Sequence, residues 1–142
     1  MVIVDTSAWV EFFRRQGDPS VKLAVKGLLD AYEATLCGPV EMEFLGGARP
    51  EEKDRIQSWF GVVPYARNDQ KIWRKAATLY SRMNGKGFKV PWNDALIACI
   101  TIEKGCRVYA VDKHFEAMSR FAGVRLYQPG YNGSFNPEND SL

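Results

Sequence analysis

Two short apolar runs, each closed by an aspartate, constrain this chain more than any other feature. Val2-Ile3-Val4 is β-branched throughout and stops at Asp5, and residues 107–111 are rich in strand formers and stop at Asp112. Side chains branched at Cβ favour strands, and an uninterrupted apolar run suits a strand covered on both faces. Between and after these runs the signals alternate. Helices are expected over 7–15, with Thr6 or Ser7 as cap, and over 18–32, where Asp18-Pro19 supplies a cap followed by proline at the first helical position. Further helices are expected over 40–48, over 51–60 after Pro50, over 69–83 before Asn84-Gly85, from Pro91 to Lys104-Gly105, and over 115–121 before Gly123. Strands are expected at 34–37, weakly at 61–64, and at 124–127. Four or five short strands separated by helices predict a parallel α/β sheet with helices on both faces.

The 142 residues fit one domain, and 46% hydrophobic content allows a real core. Residues 129–142 are polar, without apolar period, and are expected to be a mobile or surface-draped tail. The N-terminus lacks a basic leader and an apolar signal region, and no run reaches the ~20 residues of a membrane span. Three cysteines without a C-x-x-C pair suit a reducing compartment. A soluble, cytoplasmic protein is therefore expected, with no membrane partner.

Ligands of open parallel sheets collect beyond the carboxyl ends of the strands, where Asp5 and Asp112 stand. Asp94 falls in the first turn of the helix opened by Pro91, and Glu43 in the helix after the second strand. Each has a bland reading: a helix cap for Asp5 and Asp112, dipole complementarity for Asp94, a solvated position for Glu43. Taken together, several carboxylates in one pocket repel unless a cation neutralises them, and oxygen donors suit Mg²⁺ or Mn²⁺ over zinc. The single histidine, His114, excludes a two-histidine ribonuclease and reads as a surface residue near a helix start. No phosphate-binding or dinucleotide glycine loop is present.

The net charge of +2 announces no partner, but its placement is uneven. Residues 67–89 carry seven basic side chains against one acid, Asp69. Lys71, Arg74, Lys75 and Arg82 share one face of the expected helix, Lys86 follows it, and Ile72, Ala76, Leu79, Tyr80 and Met83 share the other. A solvated face normally mixes signs, so this stripe reads as phosphate-binding.

These residues together resemble the PIN-domain endoribonucleases, specifically toxins of the VapC type. The opening Val-Ile-Val-Asp-Thr-Ser looks like their first motif, and Glu43-Phe44-Leu45-Gly46-Gly47 resembles their Glu-Leu-Leu-x-Gly segment. Asp94-Ala95-Leu96-Ile97-Ala98 is similar to their Asp-x-Leu-Ile-Ala helix start, and Asp112-Lys113-His114-Phe115 to their Asp-x-x-Phe. The four matches run in family order. The resemblance implies a three-layer α/β/α fold over residues 1–128, with a five-stranded parallel sheet in the order 3-2-1-4-5. It implies a Mg²⁺- or Mn²⁺-dependent endoribonuclease with Asp5, Glu43, Asp94 and Asp112 as the acidic quartet. Asp5, Asp94 and Asp112 would hold metal, with Thr6 and Ser7 in support. It further implies a homodimer, an RNA substrate for which transfer RNA is the default, and an antitoxin partner near Trp9, Phe12 and Phe13. One departure is Ala110, where the family usually carries Thr, Ser or Asn; the alternative it opens is a catalytically impaired RNA-binding module. A receiver-like domain and a small-molecule phosphatase fit less well, lacking a second acid at the first strand and a use for the basic stripe.

Overall fold

The computed structural model describes residues 1–138. Strand β1 (Val2–Val4) leads into α1 (Thr6–Phe13) and α2 (Pro19–Asp30), followed by β2 (Ala34–Cys37), α3 (Gly38–Gly47) and α4 (Pro50–Phe60). Then come β3 (Tyr65–Ala66), α5 (Gln70–Gly85), α6 (Trp92–Glu103), β4 (Arg107–Tyr109), α7 (Lys113–Ala122) and a 3₁₀ turn at Tyr131–Gly133. Every strand pair is parallel, in the order β3-β2-β1-β4. From β1 the chain moves outward one way to β2 and β3, then crosses back to β4 on the other side. With right-handed crossovers that reversal sets α1–α4 and α5–α6 on opposite faces and puts the switch point between β1 and β4. The sheet and its helices share one core, in which Val2, Ile3, Val4, Ala95, Ile97 and Val108 are fully or almost fully buried.

The sheet has four strands, not the five expected, and the order ends at β4. Residues 124–127 run beside β4 but pair at one position, a single bridge between Val108 and Leu126. Val108 N donates to Arg125 O at 3.0 Å and Tyr127 N to Val108 O at 2.8 Å. The bond from Ala110 N to Tyr127 O that would come next is not made, and the one beyond it would need an N–H from Pro129, which has none. The preceding rung would need Cys106 N, which instead donates to Thr101 O at the end of α6. The strand is stopped on both sides by backbone chemistry. The 61–64 expectation is also displaced: β3 lies at Tyr65–Ala66, and Pro64 contributes only its carbonyl, accepting from Leu36 N at 2.8 Å.

Helix starts follow their caps closely. Asp18 accepts from Ser20 N and Val21 N, and Asp69 from Ile72 N, so α2 and α5 begin one residue after each. At α1 the cap is Asp5 rather than Thr6 or Ser7. Among the described residues, no helix is long and apolar enough to cross a membrane, and all three cysteines are buried and unpaired.

The tail expectation extends over residues 139–142, which lie outside the described residues. Up to Glu138 the segment lies against the sheet and α2. Tyr127 stacks on Phe135, Arg107 lies over the Tyr127 ring, and Arg107 donates to Asn136 O at 2.9 Å. A Cβ at Gly27 of α2 would meet Gly133 O at 2.1 Å, so the turn is seated backbone to backbone.

Candidate metal centre

Asp5 follows β1 directly and caps α1. Its Oδ2 accepts from Ser7 N at 3.1 Å and Ser7 Oγ at 2.6 Å. Capping therefore accounts for one oxygen. The other, Oδ1, is buried without a hydrogen-bond partner among the described residues, a costly state for a carboxylate oxygen. Ser7 Oγ also accepts from Val111 N at 3.1 Å, tying the loop after β1 to the loop after β4.

Asp112 stands in that second loop and caps α7, its Oδ1 accepting from His114 N at 2.8 Å. Asp94, in the first turn of α6, is only 6% exposed. The His114 ring joins the two acids: Nδ1 lies 2.8 Å from Asp94 Oδ2 and 3.1 Å from Asp112 Oδ1. Glu43, on α3, accepts through Oε2 from Thr6 Oγ1 at 3.0 Å and from Asn93 Nδ2 at 3.1 Å. Its two donors are chain neighbours of Asp5 and Asp94, so Glu43 is pinned to the elements that carry them.

The electrostatics reflect this crowding. Burial, chiefly, holds the Asp5 carboxyl above its ordinary range; the Ser7 hydrogen bonds work against the rise, and the Glu43 and Asp112 charges add to it. Asp94 is pushed up to about 6, first by burial, while its bond to His114 opposes the rise and the Asp5 and Asp112 charges reinforce it. Both acids resist ionisation in the absence of a compensating positive charge. One potential donor atom each from Asp94, Asp112 and His114 lie within 4.8 Å of one another.

Of the four acids expected from the sequence, Asp94 and Asp112 share one donor cluster with His114, the Asp5 charge acts on Asp94, and Glu43, itself exposed, is tied to their chain neighbours through Thr6 and Asn93. His114 does not behave as a stray surface residue, because its ring bridges two of those acids. Its spacing of two from Asp112 is a capping distance that carries no sign of Asp94, twenty residues back. Asn93 was missed for the same reason.

The basic face of α5 is exposed as expected, and Ile72, Ala76, Leu79 and Met83 pack inward. Its members differ, however. Lys75 is paired with Glu103 at 2.7 Å, and Arg82 and Lys86 lie over the Phe121 ring at 5.5 and 5.1 Å, whereas Lys71 and Arg74 project into solvent. Of the aromatic residues near α1, Trp9 is wholly buried and lines no surface. Phe13 does, in a cleft of about 270 Å³ shared with Val10, Phe44 and Ile56 that adjoins Thr6 and Glu43. A second cleft, of about 450 Å³, borders Glu43 on the other side and includes Met42, Trp73 and Trp92, all exposed.

Comparison with known proteins follows the same lines. A family model described as PIN domain matches residues 2–120. Ribonuclease VapC11 of Mycobacterium tuberculosis is 32% identical over 130 residues, covering 88% of this chain and 96% of that protein, and a VapC ribonuclease of Mycobacterium bovis matches equally. Among solved structures, VapBC2 from Rickettsia felis, bound to a DNA fragment from its promoter, aligns with a TM-score of 0.72 at 16% identity. That alignment covers 89% of this chain and 98% of the other. FitAcB from Neisseria gonorrhoeae aligns with a TM-score of 0.66 at 19% identity, covering 90% and 97%.

Proposed function

Because this chain belongs to the PIN-domain family and is homologous to the VapC-type toxins of toxin–antitoxin systems, we propose that it is a Mg²⁺- or Mn²⁺-dependent endoribonuclease. The observation that carries this reading is the buried Asp5 Oδ1, an acceptor without a donor among the described residues, on a carboxylate that also feels the charges of Glu43 and Asp112. Helix capping explains the bonds accepted by the other carboxylate oxygen and leaves this atom unexplained.

The donor set fits a divalent cation. Asp5, Asp94 and Asp112 offer hard oxygens at the switch point, and Glu43 closes the site from α3. When bound, such a cation supplies positive charge opposite the phosphate oxygens and acidifies water. The chain's own residues prepare the place. Ser7 holds Asp5, Thr6 and Asn93 hold Glu43, and burial strips water from Asp5 and Asp94 before any substrate arrives. Flanking phosphates meet the basic face, with Lys71 and Arg74 the freest to engage them and Lys75, Arg82 and Lys86 alongside.

The relatives support a matching set of partners. A solved structure of the same fold, from Klebsiella pneumoniae, is a toxin–antitoxin complex, and an antitoxin segment would fit the Phe13 cleft, whose mouth reaches Glu43. The exposed Met42, Trp73 and Trp92 suit a homodimer contact. Transfer RNA remains the default substrate. The experiment is cleavage of a tRNA pool with and without Mg²⁺ or Mn²⁺. Wild type should cut only with metal, and Asp5→Asn and Asp94→Asn should stay folded and cut nothing. Cleavage retained by either variant overturns the assignment. RNA binding without cleavage by wild type points to the impaired module that Ala110 allows.

A further inference from the structure

The imidazole that joins Asp94 to Asp112 has no part in the reading above. We propose that His114 Nδ1 is itself a ligand of the divalent cation, making the centre a mixed nitrogen–oxygen site that favours Mn²⁺ over Mg²⁺. The inference rests on the metal-dependent reading of the carboxylates.

Three observations carry it. The first is spacing. Donors about 2.1 Å from one ion, at neighbouring corners of an octahedron, stand about 3 Å apart. Nδ1 stands 2.8 Å from Asp94 Oδ2 and 3.1 Å from Asp112 Oδ1. The second is anchorage. The backbone of His114 is fixed at the start of α7 by its N–H bond to Asp112, so the ring is delivered by the same turn that delivers the acid. The third is the orphan Asp5 Oδ1, a buried acceptor without a hydrogen-bond partner among the described residues, on a carboxylate whose charge acts on Asp94. A ring serving only as an internal counter-ion for Asp94 and Asp112 leaves that atom unexplained.

The chemical consequence is a change in preference. Mg²⁺ dehydrates reluctantly and gains little from a nitrogen donor, whereas imidazole raises affinity for transition metals. The ring is partly exposed, at 40%, so a hydrated ion can reach it.

The test loads the full chain with Mn²⁺ alone and records pulsed electron paramagnetic resonance for ¹⁴N coupling. Calorimetric titrations with Mn²⁺ and with Mg²⁺ follow, on wild type, His114→Ala and Asp94→Asn. Wild type should show imidazole nitrogen coupling that His114→Ala loses. Mn²⁺ affinity should fall at least about tenfold in His114→Ala, and Mg²⁺ affinity by much less. The cap on α7 uses the backbone N–H of residue 114, so the variant retains its helix start, and the wild-type spectrum decides the matter even if it does not fold. Asp94-dependent Mn²⁺ binding without nitrogen coupling, or with equal or tighter binding by His114→Ala, overturns the ligand role and leaves the carboxylate site standing. Absence of any Asp94-dependent Mn²⁺ binding by wild type sinks both.

Discussion

The two edges of the sheet treat charge in opposite ways. At the amino edge, opposite charges meet: the N-terminal ammonium with Glu33, Arg125 and Arg107 with Glu138, and Arg107 again with the Tyr127 ring and Asn136 O. At the carboxyl edge like charges are gathered, and among the described residues the group paired with Asp94 and Asp112 is one partly exposed imidazole. One edge is arranged so that folding alone satisfies it. The other is left incompletely satisfied by folding, with Asp5 Oδ1 unpartnered among the described residues and Asp94 pushed up to about 6. The contrast separates what holds this protein together from what it does.

The largest expected effect lies at the carboxyl edge. Asp5→Asn or Asp94→Asn should abolish metal-dependent RNA cleavage, the rate falling by more than roughly 10²-fold and below detection, measured as single-turnover rates on tRNA. The same Asp94→Asn change should stabilise the metal-free protein. A carboxyl whose folded pKa stands at about 6 against an ordinary 3.8 disfavours folding once ionised. That cost is absent below pH 3.8, grows between 3.8 and 6, and is complete above 6. Chemical denaturation at pH 7.5 should therefore show a gain of about 1–3 kcal/mol, vanishing near pH 3.5. At the amino edge the opposite is expected: Arg107→Ala should destabilise by about 1–2 kcal/mol while leaving the cleavage rate unchanged. If Arg107→Ala cost activity and Asp94→Asn cost stability, the division between the edges would be wrong.

Smaller effects sharpen the same division. Mn²⁺ affinity should decline as pH falls below about 6, because protons compete for Asp94, by up to about tenfold per pH unit. Calorimetry across pH 5–8 would register it. On the α5 face, replacing Lys71 and Arg74 together by Ala should reduce the salt slope of RNA binding by about 1–2. Lys75→Ala should do less, since its ammonium already faces Glu103.

The acids were legible because each sits at a boundary the sequence announces. β-branched runs end at Asp5 and Asp112, Pro91 opens the helix of Asp94, and Gly38-Pro39 precedes the helix of Glu43. Boundaries marked by caps were read to within a residue or two. What failed was long-range in origin. Residues 124–127 have strand composition, but their pairing is decided by Pro129 and by where Cys106 spends its N–H, and local propensity records neither. β3 slipped because Pro64 looks like a terminator yet contributes a carbonyl to β2. His114 was read as bland because its contact with Asp94 is made by the fold, not by spacing. The basic stripe was right as a face and too uniform as a set, since Glu103 and Phe121 take up three of its five members.

Ser7 has the last consequence. Its single oxygen donates to Asp5 and accepts from Val111, so one hydroxyl spans the gap between the two acid-bearing loops. Such a spacer acts as a gauge. It sets the width of the opening before any ion enters, and the sheet beneath resists its widening. If the centre holds a cation as proposed, discrimination by ionic radius would be inherited from the scaffold, at a residue that need never touch the ion.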